Sequence, residues 1–145
     1  MASVSTYLNF SRNTEEAFKF YKSIFGTEFS DPIARFKDIL PQPGQPPLSE
    51  ADGNLVMHVA LPILGGHVLM GTDAPESMGM SVKPGNNVYL NLEPDTRAET
   101  ERLFNALATG SKIGMPLTEM FWGGYFGNLT DQFGTQWMFN CMAKD

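Results

Sequence analysis

The sequence predicts an α+β fold built from two tandem βαβββ units, one helix backing each mixed sheet. Three observations carry this. Tyr7-Leu8-Asn9-Phe10 returns as Tyr89-Leu90-Asn91-Leu92 about 80 residues further on. Each copy is followed by a capped amphipathic helix that a glycine closes. The chain then ends in an aromatic, turn-punctuated stretch from Met115 to Asn140 whose apolar runs are too short for helices.

In the first half, Ser5–Phe10 reads as a strand. Asn13 follows as a helix N-cap, with Glu16 placed to complete a capping box. Ala17, Phe18, Tyr21, Ile24 and Phe25 recur at three- and four-residue spacing, which is one face of a helix over 15–25, and Gly26 is its stop. A strand is expected around Ile33–Phe36 and an exposed loop from Pro41 to Pro47. Asn54–Ile63 reads as a strand that Gly65-Gly66 turns back into His67–Gly71. Thr72-Asp73-Ala74-Pro75 ends that strand, with Asp73 as a strand-end cap, and 76–87 is a loop. In the second half, Thr96 and Glu99 form a capping box. Leu103, Phe104, Leu107 and Ala108 make the stripe and Gly110 stops the helix. Lys112–Leu117 is the next strand, and Tyr125–Leu129 pairs with Gln136–Asn140 through the turn at 128–134. The units run from about 1–75 and about 87–145, within a single domain of 145 residues.

Composition narrows the function. With 42% hydrophobic and 18% charged residues the chain can bury a core and disorder is not expected. A net charge of −6 argues against nucleic acid or anionic membrane as partner. No run is long enough to span a bilayer, Met1–Asn9 lacks the charged and apolar regions of a signal peptide, and with one cysteine a reducing cytoplasm is the expected location. Cys141 is the sole cysteine, so no intrachain disulfide can form. His58 and His67 would fall on opposite faces of one strand. No nucleotide, hydrolase or zinc-protease motif occurs, and the absence of a glycine-rich loop between a strand and a helix argues against a methyltransferase.

The order of elements resembles the vicinal oxygen chelate superfamily (glyoxalase I, bleomycin-resistance proteins, extradiol dioxygenases) and within it the PhnB-like branch, often labelled 3-demethylubiquinone methyltransferase-like. The residues that carry the resemblance are 7–10, 15–21, Phe25-Gly26, 56–61, 65–70, 72–75 and above all 121–140 (FWGGYFGNLTDQFGTQWMFN). It covers essentially the whole chain. The fold implied is the glyoxalase/bleomycin-resistance fold, whose sheets enclose a cavity, and the assembly implied is a homodimer. Metal-dependent members take ligands from the first and last strands of each unit. Those positions fall here on Thr6, Met70, Val88 and Met138, none of which is a hard ligand. No cofactor is therefore expected, and a divalent metal enters only in the alternative reading.

Two readings of the cavity remain. In one, the protein binds a small organic ligand, with Phe121, Trp122, Tyr125, Met70 and Met138 as an adaptable aromatic and thioether wall. For Phe121 and Trp137 the alternative is filling space beneath the helices. In the other, the protein is a lyase, isomerase or dioxygenase. It would use a metal, or else His58 and Glu119 as a proton-transfer pair, positions that the resemblance gives as His and Glu. The alternative for His58 is a core histidine bonded to backbone or to a side-chain acid. Asp131 reads as a turn residue capping its own backbone, and His67 as a solvated turn residue.

Overall fold

The computed structural model describes residues 1–40 and 42–144, so Pro41, the first residue of the expected loop, lies outside the described residues. The chain divides into two compact units, Met1–Val82 and Lys83–Asp145. Each has the predicted βαβββ order. In the first unit β1 (Thr6–Phe10), α1 (Thr14–Phe25), β2 (Ala34–Arg35), a short α2 (Glu50–Gly53), β3 (Val56–Pro62) and β4 (Val68–Asp73) form a sheet of order β1-β4-β3-β2. In the second, β5 (Leu90–Leu92), α3 (Arg97–Leu107), β6 (Lys112–Glu119), β7 (Tyr125–Thr130) and β8 (Gln136–Cys141) form a sheet of order β5-β8-β7-β6. In both, the first strand runs parallel to the last and the other pairs are antiparallel. The internal repeat is thus a repeat of topology.

The helical stripe does what its spacing predicts. Thr14, Ala17, Phe18, Tyr21 and Ile24 of α1 are buried, as are Thr100, Leu103, Phe104 and Leu107 of α3. Fully burying one large apolar side chain contributes about 2 kcal/mol. In the first unit α1 covers the face of the sheet that carries Val59, Leu61, Leu69 and Gly71. The Phe18 ring lies so close over Gly71 that a Cβ there would sit 2.5 Å from Cε1. In the second unit α3 covers Leu129, Trp137 and Phe139, and Phe104 packs edge-on against Phe139 at 5.1 Å between ring centroids. Trp137 is thus helix-backing core, one of the two uses its sequence left open.

Helix starts depart from the sequence reading. Asn13 makes no side-chain cap. The cap is long-range instead: Asp73 Oδ1 accepts from the Thr14 N–H at 3.1 Å and from its hydroxyl at 2.7 Å, while Oδ2 accepts from the Val56 N–H at 2.8 Å. Asp73 is therefore not a local strand-end cap. A carboxylate at a helix N-terminus also meets the positive end of the helix dipole. Thr96 does cap α3, accepting from the Glu99 N–H at 3.1 Å, but the Glu99 carboxylate turns to Arg102 instead of closing the box. Asp131 is the expected turn residue, accepting from the Phe133 and Thr135 N–H groups, and it also accepts from the buried Trp137 indole at 2.9 Å.

The expected strand at 33–36 shrinks to two residues because Asp38 accepts from the Arg35 N–H and draws 36–38 into a 3-10 turn. Helix α2 went unread, although Ser49 accepting from the Asp52 N–H is an ordinary N-cap pattern. Cys141 is buried and free. Among the described residues no helix is long and apolar enough to cross a membrane.

Candidate functional site

Side chains alternate along a strand, so residues facing away from the helix in each unit form a second face. In the first unit Tyr7 lies opposite Met70, which lies opposite Ala60, so these three share that face, and His58, two residues before Ala60, joins them. The Tyr7 hydroxyl is 3.1 Å from His58 Nδ1, with the rings tilted at 34°. Ser5 Oγ approaches the Met70 thioether at 3.9 Å. His58 is half-buried, and among the described residues its ring is bonded to a phenol, neither to backbone nor to an acid. His67 is not the solvated turn residue expected. It is half-buried, with Nε2 at 2.8 Å from the Thr6 hydroxyl.

In the second unit Asn128, Met138 and Asn91 line up across β7, β8 and β5 on the face away from α3, and Phe126 lies opposite Asn140 on the same face. Trp122, in the turn between β6 and β7, folds onto Phe126 and Asn140. Its Nε1 points at Asn140 Oδ1 at 3.5 Å, and its ring meets Phe126 edge-on at 5.8 Å. Gly124 makes room for this, since a Cβ there would collide with both Asn140 Oδ1 and Trp122 Nε1. Trp122 is 42% exposed, and Phe121, packed edge-on against it at 5.1 Å, is 96% exposed. Phe121 therefore does not fill space beneath a helix.

Glu119 and Tyr125 stand on the other side of this sheet. They face each other across β6 and β7, and both reach α3. Glu119 accepts from Arg97 at 2.9 Å, with Lys144 at 3.7 Å. The Arg97 hydrogen bond and charge lower its pKa. The Tyr125 hydroxyl donates to Glu101 at 3.0 Å, and the Arg97 guanidinium sits 4.8 Å above its ring. Burial, then the bond to Glu101, raises the Tyr125 pKa. The structure thus brings Tyr7, His58 and Met70 together on one sheet, and Trp122, Phe126, Asn140 and Met138 on the other. It places Glu119 and Tyr125 on a helix-backed face, and His58 and Glu119 belong to different units with partners in their own.

The register also shifts two of the positions that the resemblance assigned to metal ligands. Thr6 lies one residue, and Val88 three residues, before the position that the register sets opposite Met70 and Met138 respectively. The residues opposite those methionines are Tyr7 and Asn91. Neither the original set nor the corrected one contains a carboxylate or an imidazole. Among the described residues no group of three or more His, Cys, Asp and Glu side chains could hold a metal. This donor set does not fit a hard divalent ion. Sequence reasoning missed Tyr7, Asn91, Asn128 and Asn140. The alternation of β7 and β8, which puts Phe126 and Asn128 on one face, was the available signal.

The paired βαβββ units with these two faces define the class. Residues 5–139 match the model of the Glyoxalase/Bleomycin resistance protein/Dioxygenase superfamily, and the chain belongs to that superfamily. Within it the chain belongs to the PhnB-like branch. It is similar to protein PA1353 of Pseudomonas aeruginosa, with 33% identity and a TM-score of 0.81 over 97% of this chain and 98% of that one. The PhnB protein from Bacillus cereus is 27% identical with a TM-score of 0.73, covering 97% and 99%. Protein YjdN of Escherichia coli is 28% identical over 97% of this chain and 96% of its own.

Proposed function

We propose that the protein binds a small, flat organic molecule on the face of the second sheet that Trp122 overhangs. One observation carries the reading. Trp122 is held in place by Asn140 and Phe126, while its ring and the neighbouring Phe121 remain open to solvent. A half-exposed indole fixed by a hydrogen bond and an aromatic edge is a preorganised stacking surface, so little ordering cost is left for a ligand to meet. Met138 adds an adaptable apolar floor. Tyr125 and Glu119 are not part of this surface.

The test is ligand-observed NMR with indole, 1-naphthol and benzamide on the wild type and on Trp122→Ala. At least tenfold weaker binding in the variant is expected, about 1.4 kcal/mol. Equal binding by both proteins would remove Trp122 from the site.

A second reading is favoured by the Tyr7–His58 hydrogen bond: His58 exchanges a proton with a carbonyl compound at the first sheet. It predicts deuterium exchange at the α-carbons of dihydroxyacetone in heavy water that His58→Gln abolishes. No wild-type exchange above buffer would end it.

A second copy of this chain is the proposed macromolecular partner, since an almost fully exposed phenylalanine is costly to leave in water. Sedimentation should give a dimer that Phe121→Glu weakens. A monomeric wild type would exclude it.

A further inference from the structure

We infer that Tyr7 is a positioning residue that donates its hydroxyl proton to His58 Nδ1, so that neutral His58 presents an Nε2–H to the face it shares with Met70. The site on the first sheet is then built to receive an acceptor oxygen, such as a carbonyl, carboxylate or nitro group, and neutral His58 meets it as a hydrogen-bond donor. The inference rests on the reading that this face meets a ligand, and it concerns which ring nitrogen carries the proton.

The groups around the pair favour one direction for the bond. Tyr7 Oη and His58 Nδ1 are 3.1 Å apart, within hydrogen-bonding range. An imidazole ring that is neutral has one N–H and one lone pair, and the hydrogen bond made by one nitrogen decides the state of the other. Among the described residues Nδ1 is the only partner of the Tyr7 hydroxyl, and Nε2 has none. Were Nδ1–H to donate to the phenol oxygen, the phenol proton would be left without a protein acceptor and Nε2 would offer only a lone pair. With Tyr7 as donor, the phenol proton is satisfied and Nε2–H remains available. Partial burial raises the Tyr7 pKa, which keeps the phenol protonated and able to donate.

The polar residues that the register sets beside this pair, Ser5, Asn9 and Thr72, are uncharged. Ser5 is turned to Met70, and Asn9 lies opposite Thr72, whose hydroxyl is engaged by backbone carbonyls. No ion pair of the described residues involves Tyr7, Met70, Ala60 or His58. An imidazole N–H set beside a thioether and an alanine suits a neutral or delocalised acceptor better than a hard charged group.

The experiment is a long-range ¹H–¹⁵N correlation spectrum of protein labelled at the histidine ring nitrogens, above pH 8, for the wild type, Tyr7→Phe and His67→Gln. The last assigns the two rings. The expected result is a wild-type His58 that is dominantly Nε2–H, and a Tyr7→Phe protein in which that dominance falls to a mixture of both tautomers. His67, which is held by Thr6, should be unmoved in Tyr7→Phe, showing that the unit is still folded. Tyr7 is 47% exposed, so loss of its hydroxyl leaves no buried group unpaired. A wild-type His58 that is Nδ1–H or evenly mixed would overturn the inference, and so would a tautomer ratio unchanged in Tyr7→Phe. Absence of dihydroxyacetone exchange would end the proton-transfer reading alone, because the ring spectra are recorded on the free protein.

Discussion

Asp73 and Thr14 make the structural joint of the first unit: one carboxylate oxygen at the end of β4 takes both the backbone N–H and the hydroxyl of the first residue of α1. The other oxygen takes the Val56 N–H that opens β3. One buried side chain therefore ties a helix and two strands together.

Asp73→Ala should leave the Thr14 and Val56 N–H groups unpaired in the interior. An unsatisfied buried donor costs about 1–3 kcal/mol, so the variant should lose about 3 kcal/mol, and its Tm should fall by about 10 °C. Thermal unfolding followed by circular dichroism measures this. A loss below about 1 kcal/mol would mean that water replaces the carboxylate freely.

Gly71 should resist any side chain. Its Cβ would meet Phe18 at 2.5 and 2.9 Å and Thr14 at 3.2 Å, and the first two atoms belong to a ring that is itself fully buried. Gly71→Ala is expected to cost about 2 kcal/mol through overpacking, and Phe18→Leu in the same chain should recover part of it. A double-mutant cycle by urea unfolding gives the coupling. Strict additivity would show that the helix shifts instead of the ring.

The periodic features of this chain were legible, and those that depend on distant pairing were not. The burial of Ala17, Phe18, Tyr21 and Ile24 follows from spacing alone, and the twofold topology follows from the echo at Tyr89–Leu92. Asn13 misled because nothing in its own neighbourhood reports that Asp73, far along the chain, already occupies the helix start. Tyr7 was invisible as a partner of His58 for a related reason. Only the parallel register of β1 on β4, together with β3, brings them to one face, and shifting that register by one residue exchanges Tyr7 for Thr6. Glu119 looked like a site residue because it precedes the aromatic run. Strand alternation sends it to the other side of the sheet.

Acid should reveal the Glu15–Arg35 pair. The guanidinium donates to both carboxylate oxygens, at 2.9 and 3.0 Å, and this bond, aided by Lys19, lowers the Glu15 pKa from 4.5 to about 2. A carboxylate whose pKa is lower when folded adds stability above its unfolded value and loses it as pH falls through its folded value. The pair is partly exposed, so its worth is about 1 kcal/mol. Arg35→Met should therefore be less stable than the wild type by about that amount at pH 6, with the gap closing between pH 4.5 and 2. Urea midpoints across that range would show it, and a gap independent of pH would assign the loss to packing of the arginine stem.

Glu119 and Gly124 separate the two faces of the second sheet by experiment. Glu119 is exposed and bonded to Arg97 and Lys144 on the α3 side, so Glu119→Gln should leave the urea midpoint close to that of the wild type. It should also leave the binding of indole or benzamide within twofold of wild type, because the carboxylate does not reach the Trp122 face. Gly124→Ala acts on the opposite face. Its Cβ would occupy the space where the Trp122 indole meets Asn140, so the ring must swing away. The expected signature is a change in the Trp122 contribution to the emission spectrum, with the buried Trp137 contribution preserved, and probe binding weakened about tenfold, or 1.4 kcal/mol. If instead Glu119→Gln abolished binding while Gly124→Ala did not, the ligand would belong to the α3 side of the sheet, and Arg97, Tyr125 and Glu119 would have to be its contacts.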